Sequence, residues 1–185
     1  NTIKTIDWIK KRKPDLILCI GWSQIIKKEI LNIPTKYSIG YHPTDLPLNR
    51  GRHPLIWSLA LGLKEMTSTY FKLSEKVDYG PILSKKNVLI TNVDDSGTMY
   101  IKLQKVAGMQ IIDLLKRIEK NRIKPTPIKR KKTNTWRKRT DIDGKIDWRM
   151  QSKSIHNLVR ALNKPYDGAY FLFNDKRYKI FKTKI

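Results

Sequence analysis

The sequence predicts an α/β fold: a partial doubly wound parallel sheet followed by a small C-terminal β unit. Three observations carry this. Apolar runs of strand length alternate with stretches of helical periodicity. The run Leu16-Ile17-Leu18-Cys19-Ile20, after Asp15, has no polar alternation and reads as a parallel strand covered on both faces. Beyond residue 145 the pattern changes to one helix and one hairpin.

Taken in order, Ile3–Arg12 reads as an amphipathic helix with Ile6 and Ile9 on one side. After the first strand, Gly21-Trp22-Ser23 turns the chain and Gln24–Leu31 reads as a short helix. Tyr37-Ser38-Ile39-Gly40 is the next strand and delivers His42 to its C-terminal end. Pro54 sits at a first helical position, and Leu55–Leu61 forms that helix. Thr67–Leu73 alternates and carries β-branched and aromatic residues, so it is a strand. Ile82–Ile90 is another, with polar Ser84–Asn87 at an exposed edge. Asp94-Asp95-Ser96 opens a long helix to about Glu119, with a capping residue and negative charge at its N-terminus. Its apolar positions Tyr100, Leu103, Ala107, Ile111, Leu114 and Ile118 recur at three and four. The alternation of these elements is Rossmann-like.

Pro125 and Pro127 then break the periodicity. From Lys116 to Arg139 there are twelve lysines and arginines against Glu119 alone, including the block Lys129–Lys132. Residues 120–145 read as a linker or an extended arm. Gly144-Lys145-Ile146-Asp147-Trp148 opens a second unit. Ser154–Leu162 is its helix, with Ile155, Leu158, Val159 and Leu162 on one face. Gly168–Asn174 and Arg177–Lys184 make a hairpin around Asn174-Asp175. The expected division is residues 1–122 as a catalytic domain, 123–145 as a basic linker and 146–185 as a truncated second domain. A helix plus one hairpin is a poor independent domain, and a doubly wound sheet rarely begins with a helix. The chain therefore reads as a fragment.

Composition bounds the function. A net charge of +23 suits nucleic acid or an anionic substrate. Outside residues 116–139, however, lysine is spread over most surface segments and the charge reads as composition. No apolar run approaches the roughly 20 residues of a membrane span, and the charged first helix does not resemble a signal peptide. Cys19 is the single cysteine, so a one-chain disulfide framework is excluded and a cytoplasmic, reducing compartment is expected. A Walker-type phosphate loop and a Gly-x-Gly-x-x-Gly fingerprint are both absent. No Cys/His set has zinc spacing, and no metal is implied.

The chemistry concentrates in Gly40-Tyr41-His42-Pro43-Thr44-Asp45-Leu46-Pro47-Leu48-Asn49-Arg50-Gly51. A histidine just past a strand, followed by a loop shaped by Pro, Arg and Gly, sits where open α/β sheets carry reactive groups. Val77-Asp78-Tyr79-Gly80 adds a carboxylate on a turn before another strand. A His beside an Asp suits proton transfer, the imidazole moving the proton and the carboxylate orienting or charging it. By residue type alone, His42 fits a backbone-bonded loop histidine better than a catalytic one.

These segments resemble the signature of the folate-dependent formyltransferases, a group that includes methionyl-tRNA and sugar-nucleotide N-formyltransferases. There an Asn-x-His segment leads into Ser-Leu-Leu-Pro and an Arg-Gly turn, and an Asp-x-Gly loop follows. The resemblance covers nearly the whole chain. It implies that His42 and Asp78 are catalytic. It also implies that Gly21, Trp22, Ser23, Gln24 and Ile25 line a pterin pocket for 10-formyltetrahydrofolate, with Gly80 in the carboxylate loop. Thr44 to Pro47 stand where Ser-Leu-Leu-Pro stands, so Thr44, Arg50 and Gly51 are substrate-side residues. The stretch from Gly144 to Lys182 resembles the family's C-terminal domain, an OB-like barrel cut short.

One position departs. Gly40 stands where relatives carry the asparagine that polarises the formyl oxygen, and losing one such donor typically costs about 2.7–4 kcal/mol of transition-state stabilisation. Asn49 and His53 are the nearby candidates to replace it. The expected activity is formyl transfer from 10-formyltetrahydrofolate to a primary amine, first a sugar nucleotide, with methionyl-tRNA as the alternative. An inactive, basic RNA-binding homologue is the non-enzymatic alternative, with Trp136 the only aromatic in the basic stretch to stack a base. A homodimer is left open.

Overall fold

The computed structural model describes residues 2–128 and 133–185. Helix α1 (Ile3–Arg12) opens with the Thr2 hydroxyl accepting from the Thr5 amide at 3.3 Å and ends at left-handed Lys13. Strand β1 (Leu16–Cys19), helix α2 (Lys28–Leu31) and strand β2 (Tyr37–His42) follow. A short strand β3 (Arg50–Gly51) precedes α3 (Pro54–Ala60), which has its proline in the first turn as expected. Then come β4 (Glu65–Lys72), β5 (Ile82–Leu89), α4 (Ser96–Glu119) and β6 (Thr135–Trp136). A 3₁₀ turn (Asp141–Gly144), α5 (Ser152–Ala161) and the hairpin β7 (Ala169–Phe173) and β8 (Lys176–Ile180) complete the chain.

The main sheet has the order β1-β2-β4-β5. The expected parallel pairing is present between β1 and β2, and β4 and β5 add antiparallel pairings. Two sequence expectations change here. Strand β1 is not covered on both faces: it lies at the sheet edge, and Leu18 is 42% exposed. An apolar run records that burial is favourable but not whether a neighbour is present to supply it. The second helix is only the four residues of α2; Gln24, Ile25 and Lys27 are exposed, and short helices depend on packing.

Helix α4 begins with a reciprocal cap: Asp95 accepts from the Thr98 amide, and the Thr98 hydroxyl accepts from the Asp95 amide. Its long apolar face covers the sheet. Ile39, Tyr70 and Leu83 pack on Leu114 and Ile118, and a second cluster joins Met66, Val88, Met99 and Leu103 to Leu55, Ile56 and Leu59 of α3. Met99, not Tyr100, takes the first buried apolar position, so the real stripe sits one residue off the predicted one at that end. Gln110 is the polar member of the stripe. Its amide donates to the Ser68 carbonyl and Ser84 hydroxyl, and its oxygen accepts from the Ser68 hydroxyl, so its burial leaves little unsatisfied.

Helix α5 packs on α3, and its Ala161 belongs to the same cluster as Leu55 and Leu59. The Ser96 hydroxyl donates to the Asn163 carbonyl at 2.6 Å, tying the start of α4 to the loop after α5. Asn174 and Asp175 both have positive φ, as the two-residue turn between β7 and β8 requires. The extended-arm reading of residues 120–145 does not hold for 133–139, which pack back on the sheet's loops through β6. The Lys129–Lys132 block lies outside the described residues. Among the described residues no helix is long and apolar enough to cross a membrane.

Candidate active site

His42 is the last residue of β2 and pairs across the sheet with Thr69 of β4. Strand alternation puts Ile39 and Tyr41 with the residues under α4, and Gly40 and His42 on the opposite face. The chain turns immediately: the Thr44 amide donates to the His42 carbonyl at 2.9 Å, and the Thr69 hydroxyl donates to the Thr44 carbonyl at 2.6 Å. Lys85 of β5 reaches over to the Asp45 carboxylate and the Leu46 carbonyl. The loop carrying the Thr44–Pro47 motif is thus pinned to two strands.

The His42 ring is buried, and burial holds its pKa below the ordinary value. The negative charge of Asp78 and a backbone hydrogen bond with Asn49 act the other way, while the Arg50 charge adds to the depression. The imidazole is therefore neutral at rest. Its Nε2 is buried with no partner among the described residues. A neutral ring bonded to a carbonyl through its other nitrogen presents at Nε2 a lone pair able to take a proton.

Asp78 does not sit at the end of a strand parallel to β2. Strand β4 runs antiparallel, so the chain passes the far end of β2, where the Leu73 amide donates to the Ser38 carbonyl, and residues 74–80 double back. Gly80 makes this return possible: a Cβ there would lie 1.6 Å from the Lys72 carbonyl oxygen. Asp78 itself adopts φ +58°, a left-handed conformation. Its carbonyl accepts from Arg50 Nε at 2.8 Å, and the Arg50 guanidinium lies 3.7 Å from the centre of the Tyr79 ring.

Arg50 and Gly51 form β3, which is braced by β6. The Arg50 amide donates to the Asn134 carbonyl and the Arg52 amide to the Trp136 carbonyl. Gly51 has φ +102°, and a Cβ there would meet the Trp136 oxygen at 2.1 Å, so only glycine fits. The two candidate replacement side chains are turned into this brace through their acceptor atoms. The Asn49 side chain accepts from Asn134 at 2.8 Å, and His53, left-handed at the start of α3, accepts from the Arg139 amide. Residue type had pointed to the Asn49 side chain; the structure uses its backbone.

The predicted pterin loop, residues 21–25, lies at the C-terminal end of β1, the end at which β2 delivers His42. Trp22 and Ile25 are 60% and 67% exposed. Arg52 reaches the loop, donating to the Ser23 carbonyl at 3.4 Å. Gly21 has φ +66° and open space around it.

Comparison with known proteins decides the family. Residues 3–115 match the family described as formyl transferase, and residues 138–185 match formyl transferase, C-terminal domain. The chain belongs to the formyltransferase family. It is 38% identical, over its whole length, to the bifunctional polymyxin resistance protein ArnA of Wigglesworthia glossinidia brevipalpis, and spans 28% of that protein. Solved structures share the fold at lower identity. The methionyl-tRNA formyltransferase of Clostridium thermocellum has a TM-score of 0.80 at 21% identity, covering 100% of this chain and 79% of the other. A sugar N-formyltransferase from a Shewanella species has 0.81 at 24%, covering 97% and 73%. HypX of Aquifex aeolicus, in complex with tetrahydrofolic acid, has 0.79 at 22%, covering 96% and 31%.

In this formyltransferase chain the space beside Gly40 is filled. A Cβ at Gly40 would lie 2.6 Å from Leu73 Cδ2 and 2.9 Å from Phe71 Cζ. A longer side chain at Gly40 would require both to move. Sequence reasoning missed this, along with the linker wall. There Trp57 stacks on Trp136 at 6.4 Å and donates to the Arg137 carbonyl at 3.0 Å, and Arg139 lies over its ring at 4.7 Å. The alternation of Trp136 with Arg137 and Arg139 was visible, but not the α3 tryptophan they meet.

Proposed function

We propose that the protein transfers a formyl group from 10-formyltetrahydrofolate to a primary amine on a nucleotide-linked amino sugar. The observation that supports it best is His42, neutral and buried, with a bare Nε2 and the Asp78 charge acting on it, on a formyltransferase scaffold. In this reading His42 takes the proton from the attacking amine and returns it to the donor nitrogen as its bond to the formyl carbon breaks. The imidazolium formed is favoured by Asp78, and its N–H faces the oxyanion that develops on the formyl oxygen. One side chain then covers both tasks, which suits a site where Gly40 offers no donor.

The residues present fit a folate. Trp22 and Ile25 offer exposed apolar surface for a flat ring, and Gly21 leaves the approach open. Gly21, Trp22, Ser23, Gln24, Ile25 and Gly80 are assigned to that side, and Thr44, Arg50 and Gly51 to the acceptor side. The bound folate would supply the activated formyl carbon.

Methionyl-tRNA is the second acceptor. The twelve basic residues between 116 and 139 favour it, since phosphate contacts set nucleic-acid affinity. The deciding experiment incubates the protein with 10-formyltetrahydrofolate and either an amino-sugar nucleotide or charged initiator tRNA, and follows product by mass spectrometry. The sugar reading predicts formylated sugar nucleotide, and activity within a few-fold of wild type when residues 129–132 are neutralised. Formylation of methionyl-tRNA alone, lost with the basic block and falling steeply with salt, replaces the acceptor. RNA binding with no transfer to either replaces the enzyme with a binding protein.

A further inference from the structure

We propose that Arg50 is a positioning residue: it locks Asp78 beside His42, sets a fixed positive charge against that pair, and does not touch the acceptor. This rests on the formyl-transfer reading above and reassigns Arg50 within it. Arg50 is only 2% exposed. Its amide, its Nε and its guanidinium face are each held. Its amide is bonded to the Asn134 carbonyl, its Nε to the Asp78 carbonyl at 2.8 Å, and its guanidinium lies on Tyr79. A group that captures an acceptor's phosphates presents its terminal nitrogens to the approach. Both Nη1 and Nη2 of Arg50 are enclosed, without a partner among the described residues.

The partner it does have explains the shape of the site. Asp78 is a non-glycine residue at φ +58°, in a turn with no slack because Gly80 is pressed on the Lys72 carbonyl. A hydrogen bond to the Asp78 carbonyl is the contact that fixes such a residue without consuming its carboxylate. Lysine cannot replace arginine in this role, since only a planar guanidinium both donates from Nε and stacks on a ring. The charged groups acting on His42 are Asp78 and Arg50, with opposite effects on the imidazole. Removing the Arg50 charge leaves Asp78 unopposed, so His42 titrates at higher pH.

Arg50→Gln and Arg50→Lys in the intact protein test this, with thermal melts as folding controls. Three readouts apply: the pH profile of kcat, KM for the acceptor, and NMR titration of the His42 ring, assigned by comparison with His42→Gln. Arg50→Gln is expected to raise the acid limb of the profile and the NMR pKa of His42. It should lower kcat at least about tenfold through misplacement of Asp78, and leave acceptor KM within about twofold. Arg50→Lys, which keeps the charge if the glutamine variant fails to fold, is expected to lower kcat with the acid limb in place. An unchanged His42 titration in Arg50→Gln, or in either variant a KM raised about tenfold with kcat preserved, overturns the proposal. Wild-type protein inactive on every acceptor would sink the enzymatic reading alone, because the His42 titration still reads Arg50.

Discussion

The two loops that flank His42 are built in opposite ways. The turn carrying Arg50 and Gly51 is cross-braced: β6 pairs with it, Asn134 bonds Asn49 twice, and Arg50 clamps the Asp78 turn. The loop at residues 21–25 touches Arg52 at one carbonyl and leaves Trp22 and Ile25 largely exposed. The contrast teaches where this fold invests order. The side chains proposed to move a proton are braced before any substrate arrives, while the surface proposed to meet a flat ring is left exposed.

Breaking the braced side should have the largest effects. His42→Ala is expected to lower formyl transfer by about 10²–10⁴, the usual scale of acid–base catalysis, with little change in the thermal midpoint. Product formation at saturating substrate checks it, and residual activity above a tenth of wild type would exclude His42 as the proton handler.

Next comes the fold itself. Gly80→Ala places a methyl 1.6 Å from a backbone oxygen and Gly51→Ala one 2.1 Å from another, so each should destabilise by about 3 kcal/mol or more. On the open side Gly21→Ala meets nothing within 4 Å and should cost only about 1–2 kcal/mol for its positive φ. Urea denaturation of the three variants compares them directly, and equal losses would erase the distinction between the loops.

Acid should also act on the braced side. The His42 pKa is depressed in the fold, so the unfolded chain binds the extra proton and stability falls as pH drops below 6.5 toward the folded value. Asp94 acts at lower pH. Burial alone would raise its pKa, but bonds from Lys102, Thr91 and Thr98 outweigh this and hold it at about 2. Its contribution is present above 3.8 and is lost as pH falls toward 2. A pH series of thermal melts should show a smaller first step in His42→Gln, where His53 also contributes, and a smaller second step in Asp94→Asn, where Asp141, Asp143 and Asp147 also contribute.

The smallest effect belongs to the open side. Trp22→Ala should leave the melting curve unchanged, since the ring is mostly in water, and weaken tetrahydrofolate-analogue binding several-fold by calorimetry. A large stability loss there would show that the loop is packed rather than open.

The sequence by itself determined the elements whose signals are local. The α4 cap at Asp95, the proline opening α3 and the Asn174-Asp175 turn all follow from side-chain and backbone preferences within a few residues. It also named His42 and Asp78 as the reactive candidates. Only the tertiary structure decided what surrounds them. The backbone rather than the side chain of Asn49 meets His42, Phe71 and Leu73 fill the space beside Gly40, and residues 133–139 return 85 positions along the chain to brace Asn49. Antiparallel β4 then carries the chain past the site, so that a tight turn at Gly80 must bring Asp78 back. Such contacts join residues far apart in sequence, and no periodicity or propensity records them, because each partner looks like an ordinary loop residue until the sheet brings the two together.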